Sequence, residues 1–331
     1  MKGPARSAAL GAFIYLALLA AALLGACSMG KVSTTRHALV YGVSLYQSMY
    51  VEGEDYTNNL TYSDNDAVSM GSILAAAGWE EANIRVRARG SGTTTSTLPT
   101  KANLFADLDD LAASVSSSDT VLIYFSGHGT YRSSTDTTYF IPYLGISDEA
   151  SPSLYYSLCV SPAELAAKLE ELPTDKVFVI LDTCYSGGFV DTGSATDTAP
   201  QNYGIFDDGT EPSTVLYALG NFGELLSDNA DRYNATPPIT ISAAGAEELS
   251  YENPYYSHGI FTYLLLESAE NGDSNNDGYI TASESYGYIL NRFESVWNSQ
   301  YYSSIDPVSG LYADYLPRIS GGARDLVLFE D

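Results

Sequence analysis

The amino-acid sequence predicts an α/β fold, with a mainly parallel central sheet and helices on both faces. Three observations point there. Several short segments are almost continuously apolar, as strands covered on both faces must be: HALVYGVSL at His37–Leu45, TVLIYF at Thr120–Phe125 and KVFVIL at Lys176–Leu181. These alternate with segments whose apolar residues recur at helical spacing. The 331 residues are 45% hydrophobic and only 17% charged, which suits a packed core and excludes a disordered chain.

In chain order, His37–Leu45 reads as the first buried strand. Asp66–Ala77 (DAVSMGSILAAA) reads as a helix that Gly78 stops. Asn83–Ala88 is a second strand. Lys101–Val115 is a helix with Leu104, Phe105, Leu108, Leu111 and Ala112 on one face. Thr120–Phe125 is a third strand, ending at Ser126-Gly127-His128-Gly129, and Thr138–Leu144 is part of a hairpin. Ser161-Pro162-Ala163-Glu164 combines an N-cap, an N1 proline and a capping acid, and opens a helix to Leu172. Lys176–Leu181 is a fourth strand, ending at Asp182-Thr183-Cys184. Residues 186–238 are rich in Gly, Asp, Thr and Pro and read as a long loop. Ile239–Ala243 is a fifth strand, His258–Ala269 a helix, and a further helix starts at Ala282. Leu326–Phe329 reads as an edge strand.

Fifteen Lys and Arg face 41 Asp and Glu, a formal net charge of -26. Such a chain repels phosphates, so no nucleic-acid partner is expected. Three cysteines in this length do not make a disulfide framework.

Lys2 and Arg6 precede an uncharged run from Ser7 to Ala26, which ends Leu24-Gly25-Ala26-Cys27. A basic start, an apolar stretch and small residues describe a secretory signal. The ending resembles the lipobox of bacterial lipoproteins. That resemblance implies a signal peptide at 1–26, lipidation of Cys27, a polar tether at 27–36 and a folded domain at 37–331. It also implies an exported protein held at a membrane by its N-terminal lipid. Ser28, rather than Asp, favours the outer membrane or cell surface over the inner membrane. The other reading is an uncleaved anchor, since 20 uncharged residues can span a bilayer. Either one tethers the domain outside the cytoplasm.

Ligands collect at the carboxyl ends of strands in such sheets, and two of those ends carry His128 and Cys184. A cysteine attacks as thiolate and needs a base beside it. If the two strands are parallel neighbours, both residues emerge at one sheet edge. The backbone N–H groups of Gly129 and Cys184 are then candidates for an oxyanion hole. On the residues alone, an inert core cysteine and a structural histidine are equally open.

At these positions the sequence resembles the caspase-like cysteine peptidases, nearest the metacaspase and bacterial caspase-like branch. The carrying segments are Tyr124–Gly129 (YFSGHG) and Leu181–Gly188 (LDTCYSGG). Ala38–Gly42, Asn65-Asp66-Ala67, Ile241–Ala244 and Gly259–Tyr263 support them. The resemblance covers about residues 37–290. It implies a caspase-like three-layer sandwich and a cysteine endopeptidase with a His128/Cys184 dyad. Tyr185 stands where many metacaspases carry His, so transfer from the eukaryotic branch is weaker.

Asp182 lies two residues before Cys184 and shares its strand face. Asp66 can reach the same crevice. In metacaspase-like relatives the matching acids, with a residue matching Ser126, line the pocket for the P1 side chain. Paired acids suit a cationic partner, so the expected substrates are peptides or proteins with Arg or Lys at P1. The alternatives are a helix N-terminal acid for Asp66 and a turn-capping acid for Asp182. Any self-processing within residues 185–239 at a basic residue would follow Arg232, the one basic residue there.

Residues 273–284 (DSNNDGYITASE) fit the twelve-residue EF-hand template. Asp273, Asn275, Asp277, Tyr279 (through its carbonyl), Thr281 and Glu284 stand at the ligand positions, and Gly278 at the tight turn. The expected ligand is Ca2+; the alternative is an acidic helix–helix turn. No zinc spacing and no phosphate-cradling loop occur. Cys159 reads as core, and His37 and His258 as residues outside the site. Three functional readings remain: a membrane-tethered cysteine endopeptidase, with its calcium dependence left open; a catalytically silent caspase-fold lipoprotein that binds calcium or a protein; and a cysteine hydrolase acting on a different acyl bond.

Overall fold

Alternation of side chains across a pleated strand lets one apolar segment serve two cores. In the computed structural model the described residues are 34–46, 49–51, 54–56, 59–132, 135, 137–145, 152–184, 237–244, 248, 250–301, 304, 313–322 and 324–330. The strands, in chain order, are β1 (Arg36–Val43), β2 (Met49–Val51), β3 (Glu54–Tyr56), β4 (Ile84–Arg89), β5 (Thr120–Arg132), β6 (Thr137–Phe140), β7 (Val177–Cys184), β8 (Ile239–Ser242), β9 (Glu252–Asn253), β10 (His258–Gly259), β11 (Tyr279–Thr281), β12 (Arg318–Ser320) and β13 (Val327–Glu330). The main sheet runs β12-β8-β7-β5-β1-β4, and β6 pairs with β5. The pairings of β1, β4, β5, β7 and β8 are parallel; β12 and β6 join antiparallel.

The helices are α1 (Ser63–Ala76), α2 (Lys101–Ser114), α3 (Pro152–Leu158), α4 (Pro162–Leu169), α5 (Ile260–Asn271) and α6 (Ala282–Phe293). Ala38, Val40, Leu122, Tyr124, Phe178 and Ile180 point to one face of the sheet. There they meet Ala67, Met70 and Leu74 of α1, Phe261, Leu264 and Leu265 of α5, and Ile289 and Phe293 of α6. Their chain neighbours Leu39, Tyr41, Ile123, Phe125, Val179 and Leu181 point to the other face. That face is covered by Leu104, Leu108 and Leu111 of α2, Tyr155 and Tyr156 of α3, and Leu165 and Leu169 of α4. The result is the three-layer α/β sandwich with a mainly parallel sheet.

The capping box at Ser161 forms as its residues suggest: the Glu164 amide donates to Ser161 Oγ, and the Ser161 amide donates to Glu164 Oε2 at 3.1 Å. Several expectations need correction. β5 does not stop at Phe125 but continues through His128 to Arg132, because β6 pairs with its far end from Gly129 to Arg132. His258 and Gly259 precede α5 and pair with β9, so the helix begins at Ile260. The helix read as Asp66–Ala77 starts earlier, at Ser63. The helix opened by the capping box ends at Leu169, three residues short of Leu172. Val327–Glu330 pairs with β11 away from the main sheet. The observed edge is instead Arg318–Ser320, which sequence reading missed because three residues are too few to show a period. Thr35, read as tether, already accepts a hydrogen bond from the Thr120 amide and donates to Asp119 at 2.8 Å, and Arg36 opens β1. The expected signal peptide, Cys27, and the loop that contains Gly187, Gly188 and Arg232 lie outside the described residues. No helix among the described residues is long and apolar enough to cross a membrane.

Leu122 is fully buried on β5. Leu122→Ala is expected to cost about 2–5 kcal/mol, from lost burial plus the cavity it leaves, read from the midpoint of urea unfolding. Leu316, 40% exposed, is expected to change stability by less than about 0.5 kcal/mol on the same substitution.

Candidate active site

Two neighbouring strands bring the site together. β5 and β7 pair in parallel with an unbroken register from Val121↔Val177 to Ser126↔Asp182, Gly127↔Thr183 and His128↔Cys184. Strand neighbours lie about 4.8 Å apart, so His128 and Cys184 stand side by side at the last rung of the ladder. The Cys184 side chain lies outside the described residues. Gly129 is the first β5 residue beyond the ladder, so both expected oxyanion donors sit on the rim where the paired strands part.

His128 is fully buried. Its backbone amide donates to the hydroxyl of Tyr46 at 2.8 Å, and that hydroxyl donates to the Ile141 carbonyl at 3.0 Å. The Ile141 amide in turn donates to the His128 carbonyl at 2.8 Å. The Tyr46 and His128 rings lie 4.6 Å apart, tilted at 40°. Tyr46 therefore holds the histidine through its backbone and through its ring. A Cβ on Gly127 would meet the Tyr46 hydroxyl at 2.5 Å, so the glycine makes room for this clamp. Nothing in the sequence around Tyr46 marks this role, because its partners lie about 80 and 95 residues away.

Two rungs earlier lies an acidic cluster. Ser126 Oγ donates to Asp66 Oδ2 at 2.8 Å. Asp66 Oδ1 lies 2.7 Å from His258 Nδ1, and the Gly259 amide donates to the same carboxylate. Asp182 Oδ2 accepts from the Thr262 hydroxyl at 2.5 Å and from its amide at 3.1 Å; Asp182 Oδ1 accepts from Ser250 Oγ at 3.1 Å. A Cβ on Gly259 would lie 2.4 Å from Asp182 Oδ2 and 3.3 Å from Asp66 Oδ2, so the two carboxylates flank one point of backbone that only glycine can occupy. The structure thus gathers Asp66, Ser126 and Asp182. It adds a third acid, Glu252, whose carboxylate accepts the amides of Thr61 at 2.8 Å and Tyr62 at 2.6 Å. It also adds His258, set aside in the sequence because it was read as the start of a helix.

All three acids are buried. Among the described residues no Lys or Arg pairs with them. Burial raises Asp66 above the ordinary carboxylate range, and the His258 contact offsets part of the rise. Burial, and then the charge of Asp66, push Asp182 up to about 7. Burial pushes Glu252 up to about 8 against the pull of the Thr61 and Tyr62 amides. Desolvation of carboxylates that have no full counter-charge produces shifts of this sign. By contrast, Cys159 is sealed in the other core, where burial raises its thiol far above the ordinary range and leaves it inert.

The loop at 273–284 joins two helices, as its template does. α5 ends just before it, β11 occupies the seventh to ninth positions, and α6 starts at the tenth. Gly278 has φ +82° with open space around it, as a tight turn requires. The donors are all oxygen, as a hard cation demands. Asp273 accepts the amides of Asn276, Asp277 and Gly278, while Glu284 caps α6 through the Thr281 amide and hydroxyl and accepts from Ser274 Oγ at 3.0 Å. Backbone amides, the Gly278 amide foremost, lower Asp273, and the Thr281 amide lowers Glu284, so both stay ionised. Among the described residues no group of three or more His, Cys, Asp or Glu side chains converges as a metal site. The carboxylates of Asp273 and Glu284 accept hydrogen bonds from within the loop.

A family model described as a caspase domain matches residues 35–295. Among solved structures, protein GSU0716 from Geobacter sulfurreducens superposes with a TM-score of 0.53 at 16% identity, covering 87% of this chain and 93% of that one. Caspase-1 from Spodoptera frugiperda gives a TM-score of 0.42 at 11% identity, covering 87% and 86%. At such identities the first of these bears on the fold alone, and the second carries no argument. None of the curated proteins compared matches the chain.

The acid cluster sets a pH dependence of stability. With the folded Asp182 and Glu252 raised from 3.8 and 4.5 to about 7 and about 8, the folded chain holds protons that the unfolded chain releases. Their contribution is full below the unfolded values and is lost as pH rises through the folded ones. The unfolding temperature is therefore expected to fall between pH 5 and pH 8.5, and Glu252→Gln to flatten the fall. Calorimetric scans across that range check it; an unfolding temperature that climbs with pH would contradict the assignment.

Proposed function

This chain belongs to the caspase-domain family, and from that membership we propose that it is a cysteine endopeptidase cleaving peptide bonds after Arg or Lys. The observation that carries the reading is the parallel rung that pairs His128 with Cys184, one turn of the pleat beyond the Ser126–Asp182 rung. In this mechanism His128 takes the proton of the Cys184 thiol, and the thiolate attacks the carbonyl carbon of the scissile bond. The oxyanion that forms is met by the amides of Gly129 and Cys184. His128 then passes the proton to the leaving amine. Water hydrolyses the thioester, with His128 as base, and restores the thiol.

The side chain before the cleaved bond enters the cluster of Asp66, Ser126 and Asp182. Buried carboxylates without a matching cation are costly. A guanidinium or ammonium supplies the missing charge, whereas an acidic side chain would add to the repulsion. This is the support for basic specificity.

Calcium is proposed as the ligand of the 273–284 loop, held by Asp273, Asn275, Asp277, the Tyr279 carbonyl, Thr281 and Glu284. When bound it would supply a fixed charge that orders the joint between α5 and α6. Glu284 would have to release its cap on α6 to reach it. Attachment to a membrane through a lipid on Cys27 is proposed from the sequence, and loss of membrane partition in Cys27→Ala checks it. The second reading, a silent caspase-fold module that binds calcium or a protein, is favoured by one observation: His128 is sealed from solvent.

Fluorogenic peptides ending in Arg, Lys or Asp, assayed with and without calcium, separate these readings. Hydrolysis is expected after Arg and Lys only. Cys184→Ala is expected to abolish it and His128→Ala to lower kcat by about 10²–10⁴-fold. Turnover unaffected by Cys184→Ala, or no turnover at all, would remove the peptidase reading. Titration calorimetry with calcium on the wild type and Glu284→Gln tests the loop: binding is expected in the first and strong weakening in the second.

A further inference from the structure

The acidic cluster is closed from one side by a two-stranded ribbon. β9 and β10 pair His258 with Asn253 and Gly259 with Glu252. The ribbon places the Glu252 carboxylate, the Gly259 amide and the His258 ring together over the same acids. Pro254–Ser257 forms its turn, with Ser257 at φ +57° and Tyr255 86% exposed. The members differ sharply in exposure. Asp66, Ser126, Asp182 and Glu252 are 1–3% exposed, whereas the His258 side chain keeps 17%. His258 is thus the member that faces both solvent and Asp66. Among the described residues its Nε2 reaches no nearer partner than Ser69 Oγ at 3.5 Å, whereas Nδ1 lies 2.7 Å from Asp66 Oδ1.

The two oxygens of Asp66 are already divided. Oδ2 accepts from Ser126, and Oδ1 is taken by the imidazole. A planar guanidinium that grips a carboxylate with two parallel N–H bonds needs both oxygens. An incoming cationic side chain therefore competes with His258 for Oδ1. Among the described residues no other side chain able to carry positive charge contacts Asp66.

We propose that His258 is a specificity-determining residue of the pocket: its imidazole occupies on Asp66 the place that a basic substrate side chain takes, and must leave it for that side chain to bind. This rests on the reading of the cluster as the pocket for Arg or Lys. His258 acts in this proposal on binding, through its contact with Asp66. Removing the ring removes a competitor for a charged group, and a hydrogen bond to a charged group is worth about tenfold or more in affinity.

The test uses the full chain and peptide substrates with Arg at P1. His258→Ala is expected to lower KM by about tenfold with kcat unchanged. His258→Asn, whose amide can still donate to Asp66 Oδ1, is expected to restore KM toward the wild-type value. His258→Leu, which fills the space without a donor, repeats the measurement if the alanine variant does not fold. In parallel, argininamide is titrated by calorimetry into Cys184→Ala and Cys184→Ala/His258→Ala, with tighter binding expected in the double variant. If the parent protein cleaves after Arg and binds argininamide but the His258 variants match it in KM and affinity, this proposal is overturned while the peptidase reading stands. If kcat falls together with KM unchanged, His258 has a role other than competition and the proposal is likewise overturned. If the parent protein neither cleaves after Arg nor binds argininamide, the pocket reading fails and the proposal fails with it.

Discussion

The parallel ladder between β5 and β7 is the constraint on which the rest depends. Side chains two residues apart in a strand share a face, and paired residues of neighbouring strands share a level. One register therefore places four chemical positions at once: Ser126 beside Asp182, and His128 beside Cys184. A slip of one residue would turn Asp182 into the opposite core, among Leu104, Leu108 and Leu165, and separate the acid from Ser126. The register is held by the apolar stretches behind it. Leu122, Tyr124, Phe178 and Ile180 fill one core while Ile123, Phe125, Val179 and Leu181 fill the other, and no slipped arrangement satisfies both.

A second consequence follows from burial. The end of a doubly covered sheet is a low-dielectric place, and this chain puts three carboxylates there. Hydrogen bonds from Ser126, Ser250, Thr262, Gly259, Thr61 and Tyr62 satisfy their oxygens. Hydrogen bonds from neutral groups do not supply charge, so Asp182 and Glu252 retain protons into the neutral range, and burial raises Asp66 as well. Buried acids perturbed by desolvation and by one another mark candidate functional sites. Under the proposed pocket reading, the same packing that makes the cluster unfavourable would favour a cationic side chain, because a cation gains most where water is absent.

The layers and most strands were readable from the amino-acid sequence because their signal is local. Near-continuous apolar runs marked β1, β5, β7 and β8, and Ser161 with Glu164 marked the start of α4. What escaped reading was short or held by distant partners. β12 has three residues and, among the described residues, pairs with β8 alone. β10 has two, and without its pairing to β9 the segment from His258 looks like the first turn of α5. Tyr46 carries no local signature for this role, since the His128 amide, the His128 ring and the Ile141 carbonyl that it meets lie far along the chain.

By itself the sequence determined the alternation of strands and helices, the order of the apolar segments and the types of side chain available at the strand ends, because these follow from composition and period over a few residues. It also placed Asp66, Ser126 and Asp182 in one list, through the resemblance their motifs carry. Only the tertiary structure decided that Ser126 bonds to Asp66, that Glu252 joins them and that His258 stands over Asp66. Those contacts join residues 60 to 192 positions apart. Their existence depends on the sheet order and on how α1 and α5 pack against it, which no local pattern in the chain encodes.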